Sequence, residues 1–446
     1  MSELLAQAER VAAQARAGEQ IEAFAARSRT TSVKAYNGAV EAFTSAESMG
    51  MGIRVIRNGC QGFAYVGSLD DDAVAAALDD ARDNVTYGEY DEHNGLAVPD
   101  GVAAVTADVW FEELVSFPAE RKIELAIDLE RRVRGGDARI YGVRVASFAD
   151  SAGESAVASS TGLSATTRGT FCSLSVSALA REGDSTTIGG GSSLARVPSE
   201  LDFDKAANDA VLRATRMLGA TKPKSQRVAI VLEPRIAAML LGIVGGTLCG
   251  DAVVKKRSPF ADRFSDVVAS PLLTLIDDAT DTRSFNFDSF DGEGLACRPT
   301  VLIDEGRLNA FLHNSYTARR TGGRSTANAV RGIRSTPQVA PLALQVRPGS
   351  QTAEQMLAGV DRGVFVQSMN GLHSGVNPTS GDFSVGVEGL MIESGALAGP
   401  IREATLGSSI QRLLTDIVAL GSDLEWQPSG MGTVSLVIDG VTLSGT

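Results

Sequence analysis

Apolar positions along the chain change their spacing several times, and each change marks an element. In residues 2–17, SELLAQAERVAAQARA, Leu4, Leu5, Ala8, Val11 and Ala12 recur at the spacing of a helix with one buried face. The period then falls to two through QIEAFAARS, TSVKAYNG, GIRVIRNG and GFAYVGS, four strand-like stretches. Turn signals at Asn37-Gly38 and Asn58-Gly59 suit antiparallel hairpins between them. DDAVAAALDDARDNV, residues 71–85, returns to helical spacing with Asp70 or Asp71 placed to cap it. A polar linker carrying Gly and Pro follows at 87–101.

The order then echoes itself. A helix is predicted from Pro118 (PAERKIELAIDLERRVR), and strands at ARIYGVRVASFAD, ESAVASSTG and SATTRGTFCSLSVSALA. A mobile glycine-rich loop is expected at TTIGGGSS, before a second helix at DFDKAANDAVLRATRML. From about residue 226 the pattern is strand-rich. QRVAIVLE leads to a stretch punctuated by Pro and Asp over 255–300, then to three hairpins turning at Asp304-Glu305-Gly306, Glu393-Ser394-Gly395 and Asp439-Gly440. The expected class is α+β, with two helix/antiparallel-sheet N-terminal units (1–100 and 101–222) and a larger β-rich C-terminal domain (223–446). One segment resists this reading. LLGIVGGTLCGD, residues 240–251, sits where a buried helix belongs, yet holds four glycines, each costing about 1 kcal/mol against Ala in a helix interior.

Length and composition narrow the class. A chain of 446 residues exceeds one ordinary core, so two to four domains are expected. Its 47 glycines against 16 Phe and 6 Tyr point to many turns and a core of Ala, Val, Leu and Ile. A net charge of -13 and a pI near 4.9 speak against a nucleic-acid partner. Cys60, Cys172, Cys249 and Cys297 form no close pair, which fits neither a zinc knuckle nor a disulfide framework and suits a reduced, cytoplasmic setting. MSELLAQAER lacks the apolar core of a secretory leader. The apolar uncharged run Ile236–Gly250 has 15 residues, short of the ~20 a membrane span needs.

Candidate chemistry is sparse. The three histidines are His93, in the linker, His313, at the end of a hairpin strand, and His373. No HExxH, HExxxH, CxxC or HxH spacing occurs, nor a GxSxG elbow, and the glycines of TTIGGGSS precede no Lys. Arg319, Arg320, Arg324, Arg331 and Arg334 crowd into sixteen residues. They are either a solvated helix end or an anchor for a carboxylate such as a peptide C-terminus. MNGLHSGVNPTSGDFSVGVEG, 369–389, is too long and polar for a plain turn. It presents His373, Asn377, Asp382 and Ser384 as candidates to line a groove, with Arg319 and Arg324.

FDGEGLACRPTVLIDEGRLNAFLHNSYTARRTGGRSTAN, with GLHSGVNPTSGDFSVGVEGLMIESGAL, resembles the TldD/PmbA (TldE) family, and GDAVVKKRSPFADRF and GSDLEW...SGMGTVSLVIDGVTLSG fit as well. The resemblance implies a cytosolic two-subunit assembly acting on peptides. One subunit, TldD, is a zinc metallopeptidase with an HExxxH helix and a Cys ligand near its C-terminus; the other, TldE or PmbA, lacks these. Aligned on Gly250-Asp251, the histidines of that motif fall at Leu241 and Gly246 and its Glu at Gly242, and GSDLEWQPSGMG holds no Cys. The resemblance therefore implies a TldE/PmbA-like subunit with no catalytic residue, metal or cofactor of its own, zinc belonging to a TldD-like partner. The expected partner is that HExxxH subunit, as a heterodimer, or a second copy, and the expected substrate is unfolded peptide, held by the groove candidates and by exposed strand edges. Two alternatives stay open: a hydrolase in its own right with a site from His313, His373 and Asp382, and a free-standing peptide-binding homodimer.

Overall fold

The computed structural model describes residues 2–446. Its first half is built on a six-stranded antiparallel sheet. A long hairpin joins β1 (Glu19–Tyr36) to β2 (Ala39–Arg57). Its turn places Asn37 at φ 54° and Gly38 at φ 75°, the positive values a two-residue hairpin needs. β3 (Cys60–Val66) adds to β2, while β1 pairs on its other side with β4 (Ile140–Ser159), followed by β5 (Ser164–Glu182) and β6 (Ser185–Ala195). Strands of the first two units thus share one sheet.

The period-two stretches were too short as read. QIEAFAARS and TSVKAYNG are one strand, as are ARIYGVRVASFAD and ESAVASSTG, because polar residues in mid-strand face outward without breaking the ladder. The first unit has three strands rather than four. TTIGGGSS is no mobile loop but the body of β6. Its glycines make way for a helix: a methyl at Gly189 or Gly191 would strike backbone atoms of Ala214 or Ala206.

Four helices cover one face of the sheet. α1 (Glu3–Ala12) and α2 (Asp71–Asn84) bury Ile21, Ala23, Ala25, Met51, Ile53 and Val55 at one end. α3 (Ala119–Gly135) and α4 (Phe203–Thr215) bury Val33, Ala35, Phe148, Leu174 and Val176 at the other. The uncovered face turns toward the second half of the chain, where Phe24, Val157 and Ala165 meet Phe290 and Ile333.

The C-terminal part is larger and β-rich, as the pattern predicts. β7 (Gln226–Leu232) lies parallel to β8 (Arg362–Asn370), which continues antiparallel through β9 (Asp382–Glu393) to β10 (Ala396–Ser409). β12 (Leu436–Ser444) pairs with β7 on one side. On the other it pairs with β11 (Ile417–Leu420) and with Thr405–Gly407 of β10. That last pairing closes five strands into a barrel, whose wall the Val228, Ile230 and Leu232 side chains line as they alternate along β7. A second six-stranded sheet of short strands, including Leu275–Asp277 and Leu344–Val346, packs beside it.

Asp277 ends one of those short strands with 2% of its surface exposed. Its carboxylate accepts the Leu342 and Ala343 amides at 3.0 and 2.9 Å and the Asn328 amide at 2.5 Å. Burial outweighs these bonds and pushes it up to about 6. The folded chain thus holds this proton more tightly than the unfolded chain. The contribution to stability is full below about pH 4 and is lost as pH rises through about 6, on the order of 2–3 kcal/mol. Urea titrations at pH 4 and 7 should show this loss in the wild type relative to Asp277→Asn.

Candidate functional site

α5 (Pro234–Thr247) follows β7 directly and opens with Pro at its first position, where the missing amide costs nothing. Ile236, Ala237, Leu240, Leu241 and Val244 sink into the core beside the barrel. The glycines that follow have separate roles. A side chain at Gly245 would press on Leu344 and come within 3.0 Å of Pro341, so this glycine seats the helix. A Cβ at Gly250, which starts α6 (Gly250–Val254), would strike the His313 imidazole. Gly242 faces Met431, whose sulfur is 3.7 Å from the Cβ position, and Gly246 is exposed to open space. Gly246→Ala should therefore leave the protein unchanged or more stable by up to about 1 kcal/mol. Gly245→Ala should destabilise it by about 1–3 kcal/mol. Thermal melts of the two variants separate the cases.

Zinc needs imidazole, thiolate or carboxylate donors, and α5 offers none. Leu241 is fully buried, and Gly242 and Gly246 have no side chain. On a regular helix positions 241 and 246 lie about 140° apart, and here one faces the core and the other faces outward. Cys249 is close by, but it is buried and hydrogen-bonded to the Gly245 carbonyl at 3.5 Å, and burial pushes its thiol up to about 12. The residues present do not fit the metal.

His313 leans on Thr317 Oγ1, 3.1 Å from Nδ1, at the start of α7 (Ser315–Thr321). Burial lowers its pKa, so the ring is neutral at pH 7. A polar cavity of 360 Å³ opens beside it, bordered by Asp251, Lys255, Asn314, Tyr316 and Arg320.

The arginine cluster divides: Arg320, Arg324 and Arg334 are exposed at and beyond the helix end, whereas Arg319 and Arg331 are engaged by the protein itself. Arg319 donates to the carbonyls of His93, Gly95 and Leu96 at 2.7, 2.6 and 3.3 Å, clasping the linker onto α7. Arg320 meets Asp91 at 3.3 Å, and Arg334 lies over the Tyr65 ring. Arg331 pairs with Glu22 inside the protein. Only Arg324 of the two arginine groove candidates stands exposed.

That Arg331–Glu22 pair belongs to a sealed network. Glu22 and Arg54 face each other across β1 and β2 with contacts of 3.0 and 3.2 Å. Arg54 also reaches Glu293 at 3.4 Å, and Glu293 accepts the Ser315 amide and hydroxyl at 2.8 and 2.6 Å. Glu22 and Glu293 are fully buried and Arg54 is 4% exposed. Burial opposes the charge on Glu22, but the two guanidiniums outweigh it and hold this carboxyl below its usual range. Sequence reading missed the network because its members are spread from residue 22 to residue 331.

In the segment 369–389, His373, Asn377, Asp382 and Ser384 are all exposed at one end of the barrel. Two of them shape the loop itself. Asn377 accepts the Thr379 amide at 2.9 Å, and Asp382 accepts the Ser380 hydroxyl at 2.7 Å. Among the described residues no three His, Cys, Asp or Glu side chains are placed to hold a metal. His313, half-buried against Thr317, is thus not joined with His373 and Asp382 into a metal-holding site.

Three domain families match the chain in succession. They are PmbA/TldA metallopeptidase domain 1 over residues 21–85, the central domain over 112–218 and the C-terminal domain over 225–445. The fold and these matches define a three-part, metallopeptidase-related chain. It belongs to the PmbA/TldD family. The metalloprotease PmbA of Escherichia coli O157:H7 is 26% identical over 401 residues, 89% of this chain and 87% of that protein. The metalloprotease TldD homolog of Haemophilus influenzae is 26% identical over 424 residues, again 89% and 87%. The fold is shared with the crystal structure of TldE from Thermococcus kodakarensis, at a TM-score of 0.88 and 22% identity over 96% of this chain and 97% of that one. No helix among the described residues is long and apolar enough to cross a membrane.

Proposed function

We propose that this chain is a TldE/PmbA-like subunit that binds unfolded peptide beside a catalytic HExxxH relative and cleaves nothing alone. Overall identity does not choose between subunit types, since PmbA and a TldD homolog match equally. The observation that carries the reading is α5, where Leu241, Gly242 and Gly246 supply neither a zinc ligand nor a carboxylate to activate water. Assembly is further supported by the outer edge of β2. β3 pairs only from Met51 onward, so Ala39–Met49 run exposed with Val40, Phe43 and Met49 each more than 40% accessible. A long unpaired edge of this kind invites pairing with another chain. The C-terminal barrel offers little such edge, because β10 is closed by β12 and by a bridge from Thr221 to Ile401. Within this reading the assembly is cytoplasmic and zinc resides in the partner.

The test is coexpression with an HExxxH relative from the same genome. Copurification as one complex, peptide cleavage requiring the relative's Glu, and background zinc in this chain alone are the expected results. A chain that neither joins the relative nor alters its cleavage would end the proposal.

A further inference from the structure

The face of the first sheet turned away from the helices is almost bare along two neighbouring rows. Ala26, Ser155 and Thr167 stand side by side across β1, β4 and β5, and Ser28, Gly153 and Gly169 form the next row. Facing this floor is the segment Phe285–Phe290, with Pro341 and Leu342. The space between is a trough of 520 Å³ that meets two further cavities of 190 and 630 Å³, all three sharing Ser155, Thr167 and Asp288. Pro341 also abuts Gly245, so the trough runs toward the flank of α5.

The lining chemistry is uneven. The floor is neutral and polar, with Ser155 and Thr167 hydroxyls 3.0 Å apart. The basic groups at its borders are already engaged. Arg27 pairs with Glu154 at 2.7 Å, Arg168 faces Asp108 at 3.6 Å, and Arg196 donates to the Ser284 carbonyl at 2.7 Å. Asp288 stands where the three cavities meet, and no basic side chain pairs with it among the described residues. Burial pushes its carboxyl up to about 7. The Phe290 and Ser289 amides offset that burial only in part, a cation joining the carboxylate would offset the rest, and Phe287 and Phe290 beside it suit the apolar stem of a lysine.

We infer that this trough binds an extended polypeptide segment, with Asp288 receiving the ammonium of a lysine side chain. Rows of small side chains leave room for a chain laid across the strands, where a floor of large residues would fill the space. The inference takes from the proposed function only that the ligand is a peptide. Nothing in it depends on a partner subunit.

The test uses the full chain alone and fluorescence anisotropy with two short labelled peptides of Gly, Ser and Ala, one with a central Lys and one with norleucine there. The Lys peptide should bind the wild type more tightly. Asp288→Asn should weaken the Lys peptide about tenfold and leave the norleucine peptide unchanged. Gly153→Phe should weaken both about tenfold by occupying the floor. A side chain is sterically admissible at Gly153, since its Cβ meets Ser28 Cβ at 3.8 Å. If that variant fails to fold by circular dichroism, Ser155→Leu replaces it. Equal binding of the two peptides to the wild type overturns the inference. So does undiminished Lys-peptide binding by Asp288→Asn or by the filled trough, or equal competition by free spermidine, which would make the site one for small polyamines. Binding by a chain that fails to join any relative would sink the subunit reading and leave this one standing.

Discussion

Arg54→Ala is expected to lower the free energy of unfolding by about 3–5 kcal/mol, because it breaks a buried ionic network from the centre. Arg54 alone touches both buried carboxylates, Glu22 on the neighbouring strand and Glu293 from the C-terminal part. Removing it leaves Glu293 with only Ser315 as a close side-chain partner and Glu22 with only Arg331. Both carboxylates are fully buried in the intact protein, so the loss strands charge that has no second strong partner for Glu293. Glu22 also supplies a pH signature. Its pKa is depressed in the folded state, so its contribution is present above about pH 4 and disappears as pH falls through the folded value. In Arg54→Ala that acid-side loss should shrink, because the guanidinium that outweighed burial is gone. Urea denaturation at pH 7 reads the first effect, and a series from about pH 5 down to about pH 2 reads the second. A loss below about 1 kcal/mol at pH 7 would mean the network is not sealed as described.

The second large effect is expected at Gly191, where even a methyl group has no room. Its Cβ would strike the Ala206 carbonyl and come within 2.9 Å of the Ala210 amide, both backbone atoms of α4. Backbone cannot rotate aside as a side chain can. α4 must lift off β6, opening the contacts of Ala206, Ala207, Ala210 and Ala214. Gly191→Ala should therefore cost about 3 kcal/mol or more, at or beyond the upper end for overpacking. Gly190→Ala is the internal control. It lies on the opposite face, where a methyl meets only the Val176 carbonyl at 3.9 Å, and it should be near neutral. Equal melting temperatures for the two variants would contradict the packing described.

The contrast among glycines also shows how much the sequence disclosed. Helices 71–84 and 203–215, the Asn37-Gly38 hairpin and the hairpins at Asp304-Glu305-Gly306 and Glu393-Ser394-Gly395 were legible, because period and turn chemistry are local. Asp439-Gly440 is instead a bulge inside the continuous strand β12, since a Gly-bearing irregularity reads like a turn in sequence. TTIGGGSS was misread because its glycines answer to a helix some fifteen to twenty-five residues away rather than to their neighbours in sequence. At LLGIVGGTLCGD the resemblance puts the ligand positions at Leu241, Gly242 and Gly246. It could not show that Gly245 and Gly250 are spaces for Pro341 and His313, while Gly246 is open. The loop residues His373 and Ser384 were placed on an exposed surface, whereas Arg319 proved to be a clasp. Asp288 went unnoticed inside a stretch read only as Pro- and Asp-punctuated. Its sequence signal is the clustering of Phe285, Phe287 and Phe290 around it.

The barrel's closure has a bearing on how the chain is made. β7, its first strand, lies directly against β12, its last, and Leu436–Ser444 also complete the link to β10. The first sheet can form once residues through 215 have left the ribosome, but the barrel lacks its closing strand until Leu436–Ser444 have emerged. Newly made chains therefore pass through a stage in which a finished amino-terminal half trails an open carboxy-terminal half with unpaired strands. A stalled or prematurely terminated product that stops before Leu436 should be aggregation-prone and quickly degraded.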